Sequence, residues 1–490
     1  MVNTVYGLIT ELMEDVIAPL PALRWVDEAS CKVMEKSFKE YATDIRSAAE
    51  YFRNEVPDIK GKRVALLSRN CYEYAVDTLG AIMAGAVLVT LNQRKTWDEL
   101  KYELDLIEPA LVMNDGVDYG YRAELEAEYG SVLRPMDAYV GTKPGEIAPI
   151  DHNALMMIMF TSGTTGRSKG VMISERNIFT AMLNFVPSVA LLQVKQRELA
   201  PVEYRNTVIA HFTFLPMFHM AAFVNLFVYP LAGMTQNLCC DMRNIYRDMA
   251  LMHSDTMSAA PMLVETVYNE VRRGHRDRLN GLWNLSCSSA ALDPEILQYL
   301  THNGFYINQC YGMTETCGDG LLNVVQSGEH LGALGKPDDH CEYKLDETDE
   351  ICIRGGNVML GYYKDPEGTA EVIDAEGWLH TGDLAREDAE GYYYMVGRKK
   401  NLIILSSGEN VSPEELEHLL AECTDIKECI VKEKDKKICA VVYCEADKQD
   451  AVRTFITETN RKLPLYKRMT AVEFSAEPLP RNAMGKLLRK

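Results

Sequence analysis

A chain of 490 residues is too long for one compact core, so several packed pieces are expected. Its 47% hydrophobic and 25% charged content is that of an ordinary globular protein and excludes disorder and fibres. The net charge of −20 argues against a nucleic-acid partner or an anionic membrane surface, because either needs a basic footprint. The imbalance sits in the first 399 residues, with 35 basic and 56 acidic side chains; residues 400–490 carry 16 and 15 and are close to neutral.

In chain order, MVNTVYGLITELMEDVIAPL lacks a basic start and carries Glu11, Glu14 and Asp15, which predicts an amphipathic helix and no export signal. Thirteen cysteines, an odd number with no C-x-x-C pair, read as reduced thiols filling small apolar gaps. A cytoplasmic protein without disulfides or a zinc site is expected. From Arg63 onward, strand-length apolar runs alternate with helical ones: RVALLS, YEYAVDTLGAIMAGA, VLVTL, ELKYELDLI and ALVMN. That alternation predicts parallel sheets wound by helices on both faces. The stretch Phe214–Met234 has the length of a membrane span, but Pro216, His219, Asn225 and Pro230 interrupt it. A buried strand, turn and helix are expected there, and no transmembrane segment. Near Gly335 the style changes to short strands with glycine-rich turns, EICIRGGNVMLGYY and GYYYMVG, predicting a small antiparallel or barrel-like piece. Beyond GRKKNL, helical and strand patterns return, with SPEELEHLLAE opening on a Ser-Pro-Glu-Glu start. The expected fold is α/β: a large N-terminal domain of doubly wound sheets with a β-barrel-like subdomain over 1–399, and a small α+β domain over 400–490.

The segment Thr161–Gly170, TSGTTGRSKG, follows the apolar run NALMMIMF and holds more hydroxyls, glycines and cations than a packed core can use. Small residues let backbone N–H groups approach phosphoryl oxygens, hydroxyls add donors, and Arg167 or Lys169 supplies positive charge. It is not a Walker A sequence, because Gly163 and Gly166 enclose two residues and Lys169 follows three later. Alone, the segment reads either as a phosphate cradle or as a flexible surface turn. Further islands follow: SSAAL from Ser288, CYGMTETCG from Cys310, GWLHTGD ending at Asp383, VGRKKNLIILSSGENVSP over Val396–Pro413, and LPRNAMGKLLRK at the end. In this order they resemble the motif set of the adenylate-forming superfamily, which holds acyl- and aryl-CoA synthetases, peptide-synthetase adenylation domains and luciferases. The resemblance covers nearly the whole chain.

The resemblance implies activation of a carboxylate by ATP as acyl-AMP, with release of pyrophosphate. Bringing two anions together requires shielding of the α-phosphate and an oriented attack. Thr161, Ser162, Gly163, Thr164, Thr165, Gly166 and Lys169 would cradle the phosphates. Tyr311 would stack on adenine, with Ser289, Ala290 and Ala291 along its other edge and Gly312 and Met313 beside it. Thr314 would donate to the α-phosphate and Glu315 would hold Mg²⁺, a hard cation suited to carboxylate oxygen. Asp383 would accept from the ribose hydroxyls, with Arg398 its cationic companion. Lys486 would bridge carboxylate and α-phosphate, and Lys400 would be the hinge about which the small domain turns. In the second pose Ser407 and Gly408 would line a tunnel for the pantetheine thiol of coenzyme A. Each residue also has an ordinary reading: Tyr311 as core, Thr314 and Glu315 as a helix start, Asp383 as a turn cap, Lys486 as a solvated lysine. The chain departs from the family pattern where SSAAL replaces Gly-Gly-Ala-Pro, Ser168 replaces Pro, and Ser407 replaces the first of two glycines.

PMFHMAAF around His219 resembles the Pro-x-Phe-His-x-x-Gly pattern of fatty- and aryl-acid ligases, with Ala222 at the usual Gly. It lacks the Phe-Asp pair with which amino-acid adenylation domains neutralise a substrate ammonium. A fatty or aryl acid is therefore expected, with His219 either at the pocket or a buried core histidine. Asp319 stands where the family more often has an apolar residue, and either points to solvent or meets a polar or cationic group of the substrate. Three functions stay open. The first is an acid–thiol ligase forming acyl-CoA. The second is a stand-alone enzyme loading an acyl carrier protein, whose acidity the large domain would repel. The third is a non-catalytic nucleotide-binding regulator.

Overall fold

The computed structural model describes residues 2–161, 167–288, 292–324, 330–404, 410–434, 437–481 and 487–488. The chain divides into two compact units, Met1–Glu342 with Ile353–Leu379, and Tyr343–Cys352 with His380–Lys490.

The first unit holds two large sheets. One is eight-stranded, in the order Gly320–Asn323, Tyr306–Gly312, Asn284–Ser288, Thr256–Ala259, Ala210–Thr213, Thr235–Leu238, Pro21–Val26, Val33–Ser37. Its inner pairings are parallel and the pairings at its two ends antiparallel. The other is seven-stranded: Gly361–Tyr362, Lys169–Ser174, Leu155–Thr161, Val87–Thr90, Arg63–Leu67, Leu111–Asn114, Leu133–Pro135. Its last five strands are mutually parallel. The strands Val87–Thr90 and Leu111–Asn114 are buried throughout, as befits parallel sheets covered on both faces.

Helix boundaries follow local chemistry. Thr96 opens the helix Trp97–Ile107 with a reciprocal capping box to Glu99, satisfying two otherwise orphaned N–H groups. Ser412 opens Pro413–Ala421 by accepting from the Glu415 N–H, with Pro413 at the first helical position where its missing donor costs nothing. The N-terminal amphipathic helix is present as Val5–Gly7 continuing into the π-helical Leu8–Val16, with Leu8, Ile9 and Met13 turned inward. The apolar stretch from Phe214 is buried and broken into the short helices Met220–Phe223 and Asn225–Leu231 after the strand Ala210–Thr213. Among the described residues one helix, Glu175–Leu199, is long and apolar enough to cross a membrane by length and composition.

The short strands past Gly335 form a four-stranded sheet ordered Glu342–Leu345, Glu350–Arg354, Leu379–Glu387, Tyr393–Arg398. The second unit adds a three-stranded sheet, Glu428–Lys434, Lys437–Tyr443 and Ala471–Ser475, whose apolar face packs with residues of the helices Pro413–Ala421 and Gln449–Lys462. Leu416, Leu420, Val431, Ala440, Val452 and Ile456 form this separate core.

One buried group works against the fold. Asp77, on the helix Tyr72–Met83, is fully buried, and neither carboxyl oxygen has a hydrogen-bond partner among the described residues. Burial pushes its pKa well above the ordinary value, so the carboxyl stays protonated in the fold while the unfolded chain ionises. Its contribution is therefore complete below the unfolded pKa near 4 and is lost as pH rises toward the folded pKa. Asp77→Asn is expected to raise unfolding free energy by about 1–3 kcal/mol at pH 8. In urea titrations that gain should shrink toward zero at pH 4, and a gain independent of pH would contradict the assignment.

Candidate active site

In open α/β sheets ligands settle at the carboxyl ends of strands, beside the point where the chain changes direction across the sheet. In the eight-stranded sheet that point lies between Ala210–Thr213 and Thr256–Ala259, since Thr235–Leu238 pairs on one side and Asn284–Ser288 on the other. Several of the sequence islands fall at such ends. His219 follows Thr213, Asn284–Ser288 ends where Ser289 begins, and Tyr311 and Gly312 close Tyr306–Gly312. Thr161 closes Leu155–Thr161 in the other sheet.

The turn from Met313 to Asp319 folds tightly back on its own strand. A Cβ on Gly312 would lie 2.3 Å from the Gly318 carbonyl oxygen, and one on Gly320 would lie 2.4 Å from that of Tyr311. Only glycine fits at either place. This closeness holds the single 3₁₀ turn Thr314–Thr316 at the strand end. Glu315 is 8% exposed, and its Oε1 accepts from the Tyr362 hydroxyl at 2.9 Å. Its carbonyl oxygen accepts from the Met359 N–H at 2.8 Å. Burial, and then the Glu315 carboxylate, push the Tyr362 hydroxyl up, so it remains a donor. Lys169 rests its ammonium 4.6 Å from the centre of the Tyr362 ring and 3.6 Å from Asp365. Lys169 and Glu315, from separate motifs, are thus brought together on one tyrosine.

Tyr311 is 9% exposed and lines a small cleft with Asn184, Phe185, Cys310, Asp319 and Leu321. Asp319 does not point to solvent. It is buried, bonded to the Asn184 amide, and accepts from Asn357 Nδ2 and the Gly320 N–H, each at 2.9 Å. Burial, with Asp338 beyond the same Asn184 amide, pushes its pKa up to about 8. His219 caps the helix Met220–Phe223, its Nδ1 accepting from the Ala221 N–H at 3.3 Å. Burial lowers its pKa and keeps the ring neutral. The next residue, Met220, packs at Gly318.

In the second unit Asp383 is 2% exposed and pairs with Arg398 Nε at 2.8 Å across the strands Leu379–Glu387 and Tyr393–Arg398. Beside it, buried Glu350 accepts from the Gly382 N–H at 2.7 Å and from Lys399 Nζ at 2.8 Å. Lys400 lies in the single turn Lys399–Asn401. Ser162, Gly163, Thr164, Thr165, Gly166, Ser289, Ala290, Ala291, Ser407, Gly408 and Lys486 lie outside the described residues.

The family model for AMP-binding enzymes matches residues 22–363, more than half of the chain. The chain belongs to the AMP-binding enzyme family. Among curated relatives of this AMP-binding enzyme, the 2-succinylbenzoate–CoA ligase of Bacillus pumilus is 29% identical, covering 88% of this chain and 87% of its own. The long-chain-fatty-acid–CoA ligase of Salmonella typhimurium is 26% identical over 99% and 94%. The feruloyl-CoA synthase of an Amycolatopsis species is 28% identical over 88% of each. Among solved structures, Bacillus subtilis o-succinylbenzoate CoA synthetase with its acyl-adenylate aligns at TM-score 0.80 and 24% identity, over 99% of this chain and 97% of that one. ATP-bound MatB of Rhodopseudomonas palustris aligns at 0.82 and 24%, with the same coverage. These likenesses show the mixed α/β fold of this AMP-binding enzyme.

Neither Tyr362 nor Asp365 stands in a motif of its own; Tyr362 falls in the strand-like GYY that follows GGNVML, and Asp365 carries no local signal. Tyr362→Phe keeps the ring beneath Lys169 and deletes the donor to Glu315. A loss of about 1.5–3 kcal/mol of stability is expected, the range for a hydrogen bond to a charged group. Denaturant unfolding checks it, and unchanged stability would mean that water replaces the phenol at no cost.

Proposed function

We propose that this chain is an AMP-forming acid–thiol ligase. It joins a fatty or aryl carboxylic acid to ATP, releases pyrophosphate, and passes the acyl group from acyl-AMP to coenzyme A. The observation that carries this reading is the buried Glu315 carboxylate, held by the neutral Tyr362 hydroxyl whose ring also seats Lys169. Carboxylate oxygen suits Mg²⁺, a hard cation. Mg²⁺, when bound, offsets phosphate charge. Glu315 would hold it, Thr314 would donate to the α-phosphate, and Lys169 with the Thr161–Gly166 run would cradle the outer phosphates. Tyr311, Gly312 and Met313 with Ser289, Ala290 and Ala291 would bind adenine, and Asp383 with Arg398 the ribose. Lys486 would stabilise the charge of the first half-reaction. A turn about Lys400 would then bring Ser407 and Gly408 to the thiol.

Relatives named for fatty-acid, feruloyl and succinylbenzoate activation support the acid class, and their shared CoA ligase names favour coenzyme A over a carrier protein. Thirteen cysteines with no disulfide among the described residues support a cytoplasmic location. The cleft beside Tyr311 narrows the acid. Asp319, sharing the Asn184 amide with Asp338, would offer a hydrogen-bonding carboxyl to a polar group on the tail of the acid.

Acid-dependent pyrophosphate release across a panel of acids is the test, followed by mass detection of the thioester after adding coenzyme A. Fatty or aryl acids should be turned over. Glu315→Ala should cut the rate about 10²-fold or more, the size of losing a charge stabiliser. Saturable preference for a proteinogenic amino acid would overturn the substrate reading, and a thioester appearing only on a phosphopantetheine-bearing carrier protein would replace coenzyme A as acceptor. Asp319→Val should shift preference toward plain hydrocarbon acids; an unchanged acid profile would remove Asp319 from the pocket.

A further inference from the structure

Glu103 on the helix Trp97–Ile107 is fully buried, a condition carboxylates tolerate only when paired. Its partner is Lys95, whose side chain is 15% exposed. The same ammonium donates to Ser168 Oγ at 2.8 Å and lies 5.9 Å from the centre of the Phe160 ring. Phe160 and Ser168 stand before and after the glycine-threonine run. The neighbouring Arg167 places its guanidinium 5.4 Å from the ring centre of Tyr102, adjacent to Glu103 on the same helix. One helix therefore takes hold of two consecutive residues, Arg167 directly and Ser168 through Lys95.

The backbone does not do this work. Pairing of Leu155–Thr161 with Lys169–Ser174 ends at Thr161 opposite Lys169, so Arg167 and Ser168 lie beyond the ladder. The fold itself gains little from the charges, because a buried ion pair is commonly no better than apolar residues of the same size. Paired with Glu103, Lys95 also offers little net charge to attract phosphate at a distance. What the arrangement does supply is a fixed place for Ser168, and the proline more usual in the family at this position has no hydroxyl to receive the ammonium.

We propose that Lys95, seated on Glu103, is a positioning residue for ATP: by holding Ser168 it fixes the chain on the return side of the phosphate segment. The inference rests on the ligase reading of that segment. Its signature is selective for the outer phosphates. ATP and AMP share the adenosine and the α-phosphate, so a defect confined to the phosphate segment weakens ATP and spares AMP, whereas general damage to the fold weakens both.

The test is calorimetric binding of ATP with Mg²⁺, and of AMP, to the full chain and its variants. Lys95→Met and Ser168→Ala should each weaken ATP about five- to tenfold and AMP less than twofold. The double variant should bind ATP no more weakly than the worse single, because both break one contact. Ser168→Thr, which keeps the hydroxyl, should stay within about twofold of the wild type. Equal losses for ATP and AMP, no loss for either, or multiplying losses in the double variant would each overturn the inference while leaving the ligase reading in place. A wild-type chain that does not bind ATP would overturn the ligase reading itself, and the inference with it.

Discussion

The antiparallel pairing of Leu155–Thr161 with Lys169–Ser174 is the constraint on which the first unit's site depends. It fixes where the glycine-threonine run leaves the sheet and where it returns. On the return side, Arg167 rests on Tyr102, Ser168 receives Lys95, and Lys169 rests on Tyr362. The outer edge of the same hairpin pairs with the two-residue strand Gly361–Tyr362, with Tyr362 opposite Val171. That pairing lets one phenol seat Lys169 with its ring and donate to Glu315 with its hydroxyl. Glu315 follows a strand of the other sheet, so a single edge contact couples two motifs that lie far apart in the chain.

An acidic chain that handles anionic substrates must concentrate its cations. Net charge is −20, yet Arg167 and Lys169 sit together in one segment with Lys95 against it. Buried acids in each unit are held in place: in the first, Glu103 by Lys95, Glu315 by Tyr362 and Asp319 by two amides; in the second, Asp383 by Arg398. Asp77, remote from these motifs in sequence, has no such partner among the described residues, and burial pushes its pKa well up. The contrast separates acids that the motifs hold with partners from one that the fold merely tolerates.

Local signals in the sequence were enough for much of the architecture. Alternating strand and helix runs from Arg63 to Asn114 formed the parallel sheet expected of them, and prolines and polar residues correctly broke the apolar stretch from Phe214. The Ser-Pro-Glu-Glu start at Ser412 opened a helix because capping is decided within four residues. What stayed hidden depends on partners distant in sequence. Tyr362 meets Glu315 across 47 positions, and Lys95 meets Ser168 across 73. Asp319 read equally well as solvent-facing or pocket-facing, since its burial is set by Asn184 and Asn357, 135 and 38 positions away. No periodicity reports such pairs. The motif order, by contrast, carried the family, because adenylation needs its phosphate, adenine and ribose contacts regardless of how they are packed.

The central claim is that the acid is activated by forming a bond from its carboxylate oxygen to the α-phosphorus. Incubating the chain with ATP, Mg²⁺, coenzyme A and the best acid of the panel, labelled with ¹⁸O in both carboxylate oxygens, tests that bond directly. One labelled oxygen should leave with AMP, raising its mass by about two units for each thioester made. Label recovered in orthophosphate alongside ADP would mean that the γ-phosphorus is attacked instead, and would contradict the account.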